Sequence, residues 1–251
     1  MPLYTADALI LRTYKLGEAD RIVVFLTRDR GKKRGVAKAA RRPRSRFLGA
    51  LEPLTEVRVA YFESERRELV GLNYAETVRS PLALGGPAKA GHYVGEGGPA
   101  SAFAKATADR SAFAKAPADR EAEHYVLVEY VAELLDEWAP EADVDERLYR
   151  LGASMLDGLA AGAPLEPLAR YFEYWLLRLQ GLDPDSPGTL SAAAQAFLAG
   201  SRTVAPPLVG TVPVDARTLR ELENVHRALI ATHLEKTLKS DRVLRELRRH
   251  A

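Results

Sequence analysis

ADALILRTYKLGEADRIVVFLTRDRGKKRGVAKAA, residues Ala6 to Ala40, reads as three β-strands in succession. ADALILRTYKL and DRIVVFLTRD are short runs filled with β-branched, aromatic and aliphatic side chains, and KKRGVAKAA follows them after a glycine. Turn signals separate the three at Leu16-Gly17-Glu18 and at Arg30-Gly31. Working outward, EVRVAYFESE supplies a fourth strand, Glu65-Arg66-Arg67 a turn, and GLNYAETVR a fifth strand with weaker alternation. Five strands within residues 1–80 predict a small five-stranded barrel of the OB type.

The third strand lies inside RDRGKKRGVAKAARRPRSRF, Arg28 to Phe47, which carries ten basic residues and one acid, Asp29. Residues 1–80 hold 17 Lys and Arg against 10 Asp and Glu, a net of +7, whereas the whole chain is only +2, so the remainder sums to −5. A basic face this concentrated is the electrostatic footprint of a polyanion partner, most often nucleic acid. The candidate DNA contacts are Arg30, Lys32, Lys33, Arg34, Lys38, Arg41, Arg42, Arg44 and Arg46, held on a mobile loop. Tyr14, Phe47 and Tyr61, with Phe62, are the candidate base-stacking surfaces of such a barrel. The competing readings are a solvated basic loop without a partner and aromatics that simply fill the core.

After Ser80 the composition shifts. PLALGGPAKAGHYVGEGGPA is rich in Gly, Pro and Ala, and it runs into the tandem decapeptides SAFAKATADR (Ser101 to Arg110) and SAFAKAPADR (Ser111 to Arg120). Two such copies are too short to stack a core, so residues 81–120 read as a linker, with Pro117 interrupting the second copy. From Glu121 the apolar period becomes 3.6. Stripes run through Leu127, Val131, Leu134 and Trp138, through Leu148, Leu151, Met155 and Leu159, and through Leu168, Phe172, Trp175, Leu176 and Leu179. Gly162 and Gly181 end the second and third. Ser191 to Leu198 forms a short helix stopped by Gly200, Asp215 caps a long one, and Ser240 starts a basic terminal one. The expectation is an α+β multidomain chain: barrel 1–80, linker 81–120, all-helical domain 121–251.

Chemistry-bearing motifs are sparse. Cysteine is absent, which removes disulfides and thiolate metal sites, and none of the five histidines sits in a His-Glu-x-x-His spacing. His226 and His233, seven apart on one helix, read as partly buried core residues rather than ligands. No P-loop or Gly-x-Ser-x-Gly occurs, and GEGGPA at Gly95 lacks the strand and helix of a dinucleotide turn. Glu63, Glu65 and Glu68 would suit a nuclease metal site, but alternation places them in solvent. No catalytic residue, metal or cofactor is assigned. No apolar run reaches the roughly 18–20 residues of a membrane span, and MPLYTADALI lacks a signal-peptide pattern, so no membrane partner and a cytoplasmic protein are expected.

ALILRTYKLGEADRIVVFLTRDRGKKRGVAKAARRPRSRF followed by LEPLTEVRVAYFE and LVGLNYAETVRSPL resembles the N-terminal domain of the bacterial DNA repair protein RecO family. YVAELLDEWAPEADVDERLYRLGASMLDGLAAGAPLEPLARYFEYWLLRLQGL is similar to its helical domain, and LEKTLKSDRVLREL to its C-terminal end. The order and spacing of these segments carry the resemblance, which omits about Gly85 to Arg120. It implies a non-enzymatic recombination mediator that binds single- and double-stranded DNA and anneals complementary strands. It also implies action with RecR, and often RecF, to load recombinase on strands coated by single-strand-binding protein. The helical part of such proteins engages the acidic, apolar-ended C-terminal tail of single-strand-binding protein, for which Arg170, Arg178, Arg227 and Lys236 are the candidates here. Many members place four cysteines as a zinc site after the helix corresponding to LLRLQGL. DPDSPGTL stands there instead, so zinc is not expected. The competing functions are an OB-type RNA-binding protein of ribosome assembly, a metal-dependent nuclease, and an adaptor acting through its helices.

Overall fold

The computed structural model describes residues 2–64, 68–82, 117–141, 143–185, 188–235, 238–240 and 242–244. Five strands, β1 (Leu3–Leu16), β2 (Asp20–Thr27), β3 (Gly31–Ala37), β4 (Glu56–Phe62) and β5 (Val70–Arg79), close into a barrel in the order β1-β2-β3-β5-β4. All pairings are antiparallel except β3 with β5, which is parallel and only three residue pairs long. β1 is long enough to serve two neighbours: Leu3 to Leu9 pair with β4 and Ala8 to Leu16 with β2, with a register shift between Ile10 and Arg12. That irregularity lets one strand bend around the barrel. The turns read at Gly17 and Gly31 are present, with φ of 59° and 67°, and the one read at Glu65-Arg66-Arg67 lies outside the described residues.

The runs ALIL and IVVFL are apolar at every position because both faces of these strands are buried. Ala8, Ile10, Val23, Phe25, Val57, Val59 and Tyr61 fill the barrel. Leu9, Leu11, Val24 and Leu26 point the other way and join the core of the helical domain. That domain comprises α1 (Pro117–Trp138), α2 (Glu146–Ala160), α3 (Leu165–Leu179), α4 (Ala192–Ser201) and α5 (Ala216–Leu234), with a 3-10 turn at Pro206–Thr211. Asp145, Ser191 and Asp215 cap α2, α4 and α5 by accepting hydrogen bonds from the backbone N–H of Leu148, Ala194 and Thr218.

Several expectations require correction. Pro117 opens α1 instead of interrupting a linker, since proline at a first helical position forfeits no intrahelical bond. Gly200 lies inside α4 and does not stop it; a Cβ there would sit 2.6 Å from Val212 Cγ1, so the glycine serves packing. His226 is wholly buried and His233 is exposed, its ring stacked on Trp138 at 5.5 Å, so they are not a matched pair of half-buried residues. The decapeptides before Pro117 lie outside the described residues, as do Arg245, Arg248 and Arg249 of the expected terminal helix, of which 239–240 and 242–244 are helical.

Candidate nucleic-acid interface

The basic run is not one mobile loop. Its first part is β3, whose side chains alternate between two environments. Gly35 and Ala37 face the barrel interior, where a Cβ on Gly35 would meet Leu72 and Val70, and Lys33 at the barrel's end pairs with Glu63 at 2.8 Å. Lys32, Arg34 and Val36 take the outer face, spaced roughly 7 Å apart as alternate strand residues are, and Lys38 follows in the turn just past the strand.

Along that face the environment changes step by step. Lys32 is only 8% exposed; its ammonium donates to the Asp136 backbone carbonyl at 2.6 Å and lies 3.5 Å from the Asp136 carboxylate on α1. Arg12 reaches the same Asp136 at 3.4 Å and Glu133 at 3.5 Å. Burial opposes ionisation of Glu133, but hydrogen bonds from Ser240 and Lys239 and the Arg12 charge outweigh it and hold its pKa below the usual range. Arg34, two residues on, is exposed and pairs with exposed Glu141 at 2.7 Å. Val36 is half-buried in a groove, and Lys38 is exposed at the same groove.

The groove, of about 660 Å³, follows the short β3–β5 seam. Val36, Leu69, Val70 and Phe62 supply apolar surface, Lys38 and Arg46 the cations, and Glu68 and Asn73 further polar groups. Cross-strand register extends the apolar surface sideways, because Val36 pairs with Ile22 and Ile22 with Tyr14, which is 46% exposed.

The rest of the basic run, 38–47, and the residues after it to 55 are turn-rich and pinned to the barrel. Ala39 N–H donates to Asp20 at 2.7 Å, and the Arg41 guanidinium donates to the Gly17 and Glu18 carbonyls at 3.0 and 2.9 Å. Phe47, Ala50 and Leu51 plug the barrel end. Lys38, Arg42 and Arg44 are exposed and have no ion-pair partner among the described residues, while Arg46 lies over the Phe47 ring at 5.1 Å. Arg30 packs over the Tyr4 ring at 4.2 Å.

The candidates therefore divide. Lys38 and Arg46 line the groove; Arg41, Arg42 and Arg44 lie between them in sequence and complete an exposed cationic rim on the turn segment, and Tyr14 lies at the far end of the apolar row. Phe47, 2% exposed, and Tyr61, fully buried with its hydroxyl pKa pushed up to about 12 by burial, are core residues and not stacking platforms. Lys32 is domain glue. Val36 and Ile22 were missed, although alternation of Arg34, Val36 and Lys38 on one strand face was a signal for Val36.

On the helices, Arg170 is 2% exposed and bound to Glu173 at 2.8 Å, which removes it as a peptide contact. Glu173 also accepts from Tyr130 at 2.8 Å and meets His226 at 3.0 Å. Burial disfavours its charge, but Arg170, then His226 and Tyr130, overcome that and lower its pKa. Arg178 lies beside Tyr174 and Asp185, Arg227 pairs with Glu223, and Lys236 falls outside the described residues. Of the expected carboxylate cluster, Glu63 is committed to Lys33, Glu68 lines the groove, and Glu65 lies outside the described residues; among the described residues no three His, Asp or Glu side chains gather to hold a metal. No helix among them is long and apolar enough to cross a membrane.

A closed five-stranded OB-type barrel with a basic rim, docked by one outer face onto a helical domain, defines the class of this molecule. The chain belongs to the recombination protein O family, whose N-terminal description matches residues 1–81 and whose C-terminal description matches residues 120–187. It is 33% identical to a DNA repair protein RecO of Nocardioides over 255 aligned positions, covering 95% of this chain and 97% of that protein. Identity is 34% over 183 residues to the DNA repair protein RecO of Koribacter versatilis, and 52% over 87 residues to that of Bifidobacterium adolescentis. The matched regions span 61% and 33% of those two relatives and 73% and 35% of this chain.

Proposed function

We propose that this chain is a DNA-binding and strand-annealing protein of recombinational repair, working without catalysis. The observation that carries the reading is an apolar groove on an OB-type barrel lined by the cations Lys38 and Arg46, with Arg41, Arg42 and Arg44 exposed on the turn segment between those two residues. Annealing requires two phosphate backbones to be neutralised so that bases can meet, and cations that release counterions supply that without a nucleophile. The names of the relatives support the repair assignment. Within it, the chain acts as a mediator with RecR and RecF on single strands coated by single-strand-binding protein, in the cytoplasm and at the nucleoid. Of the residues proposed to meet the acidic tail of single-strand-binding protein, Arg178 and Arg227 remain as described candidates.

Fluorescence anisotropy with a labelled single-stranded oligonucleotide tests the reading. Reversing Arg41, Arg42 and Arg44 to Glu removes three phosphate contacts and flattens the salt dependence, log K against log salt, by about 2. An unchanged affinity and slope would rule the rim out. Mixing complementary strands with and without magnesium separates annealing from cleavage: duplex without shortened products is the expected result.

A further inference from the structure

The segment joining α1 to α2 carries Glu141, Asp143 and Asp145, with Glu146 opening α2, and it lies against the barrel's basic strand. Lys32 and Glu141 form a parallel β-bridge, and the Asp143 backbone approaches Gly31 so closely that a Cβ there would fall 2.2 Å from its carbonyl oxygen. Glu141 thereby sets its carboxylate on Arg34, on the outer face that continues through Val36 to Lys38.

We propose that Glu141 is a built-in stand-in for a backbone phosphate: a nucleic-acid strand lying along β3 displaces it and takes Arg34 as a further contact. This rests on the nucleic-acid reading given above. Three features support it. Arg34 lies on the same strand face as groove residue Val36, one two-residue repeat of roughly 7 Å away, so a nucleic-acid strand that enters the groove at Lys38 and Arg46 and continues along β3 past Val36 reaches it next. The two side chains of the pair are 54% and 62% exposed, so the pair is weakly held and open to exchange, unlike Lys32 with Asp136 at 9% and 10%. Carboxylate and phosphate also present the guanidinium with the same bidentate acceptor geometry. The acidic connector thus lowers the cation count seen by weakly bound anions and yields it to a polyanion.

The test is a double-mutant cycle on the full chain, with Glu141→Gln, Arg34→Gln and both together, read by oligonucleotide anisotropy from 50 to 200 mM salt. Glu141→Gln is expected to tighten binding and to steepen the slope by about 0.7, so that its advantage grows about 2.6-fold between 200 and 50 mM salt. In the Arg34→Gln background the same change gives no gain. Binding by the wild type with no change in Glu141→Gln, or a gain that persists without Arg34, overturns the stand-in while leaving the DNA reading intact. Failure of the wild type to bind at all overturns both.

Discussion

Replacing Lys32 by Met separates what belongs to domain docking from what belongs to nucleic-acid binding inside one basic run. The Lys32 ammonium is buried against Asp136, donating to its carbonyl at 2.6 Å and pairing with its carboxylate at 3.5 Å. Removing one partner of a buried pair costs roughly 3–5 kcal/mol, because the other charge stays desolvated. Here Arg12 remains 3.4 Å from Asp136, so the expected loss is about 2–3 kcal/mol. Because Leu9, Leu11, Val24 and Leu26 of the barrel share a core with the helices, the loss is felt by the whole molecule. For a chain of this size it lowers the melting temperature by roughly 5–10 °C. Adding Asp136→Leu recovers much of it, since an apolar pair replaces a broken ionic one. Circular dichroism melts measure this, and anisotropy on the same variant should show an unchanged salt slope. A variant that melts like the wild type but binds DNA with a flatter slope would refute the assignment of Lys32 to the domain junction.

Two further perturbations follow from local geometry and from buried charge. Gly31→Ala combines a φ of 67° with a backbone clash at Asp143, whereas Gly17→Ala at a φ of 59° meets nothing, so the first should be the more destabilising by at least about 2 kcal/mol in urea melts. Glu173 has a folded pKa below the ordinary 4.5, so its contribution to stability is complete above that value and is lost as pH falls through the folded value. The difference in melting temperature between wild type and Glu173→Gln should therefore be full at pH 7 and shrink below about pH 4.5; a difference constant down to pH 3 would contradict the network.

The barrel was legible because strand runs and turns are local signals: Gly17 and Gly31 take left-handed φ, and the short β-branched run IVVFL between them suits a buried strand. Helical stripes were legible for the same reason, and side-chain caps at Ser191 and Asp215 fall where the pattern places them. Residue roles were less so. Phe47 and Tyr61 have the chemistry of stacking platforms, but only the closed topology shows that one plugs the barrel end and the other lies inside it. Arg170 reads as a solvated helix cation until α5 brings His226 against Glu173 and buries all three. Gly200 reads as a stop because sequence does not reveal that Val212 returns to pack against it.

The charge imbalance shows the same limit from the other side. A surplus of +7 in residues 1–80 and −5 in the remainder is visible by counting, but counting does not say which charges meet. Along β3 and into the turn after it they meet in graded fashion, from Lys32 sealed beneath α1, through Arg34 on an exposed carboxylate, to Lys38 with no ion-pair partner among the described residues. The buried pair is shielded from salt and from competitors, while the exposed pair and the bare rim are open to both. A single strand face thus fastens the barrel to the helices at one end and presents cations at the other. The residue between them is the one whose partner a phosphate backbone can replace, which couples occupancy of the groove to the acidic connector between α1 and α2.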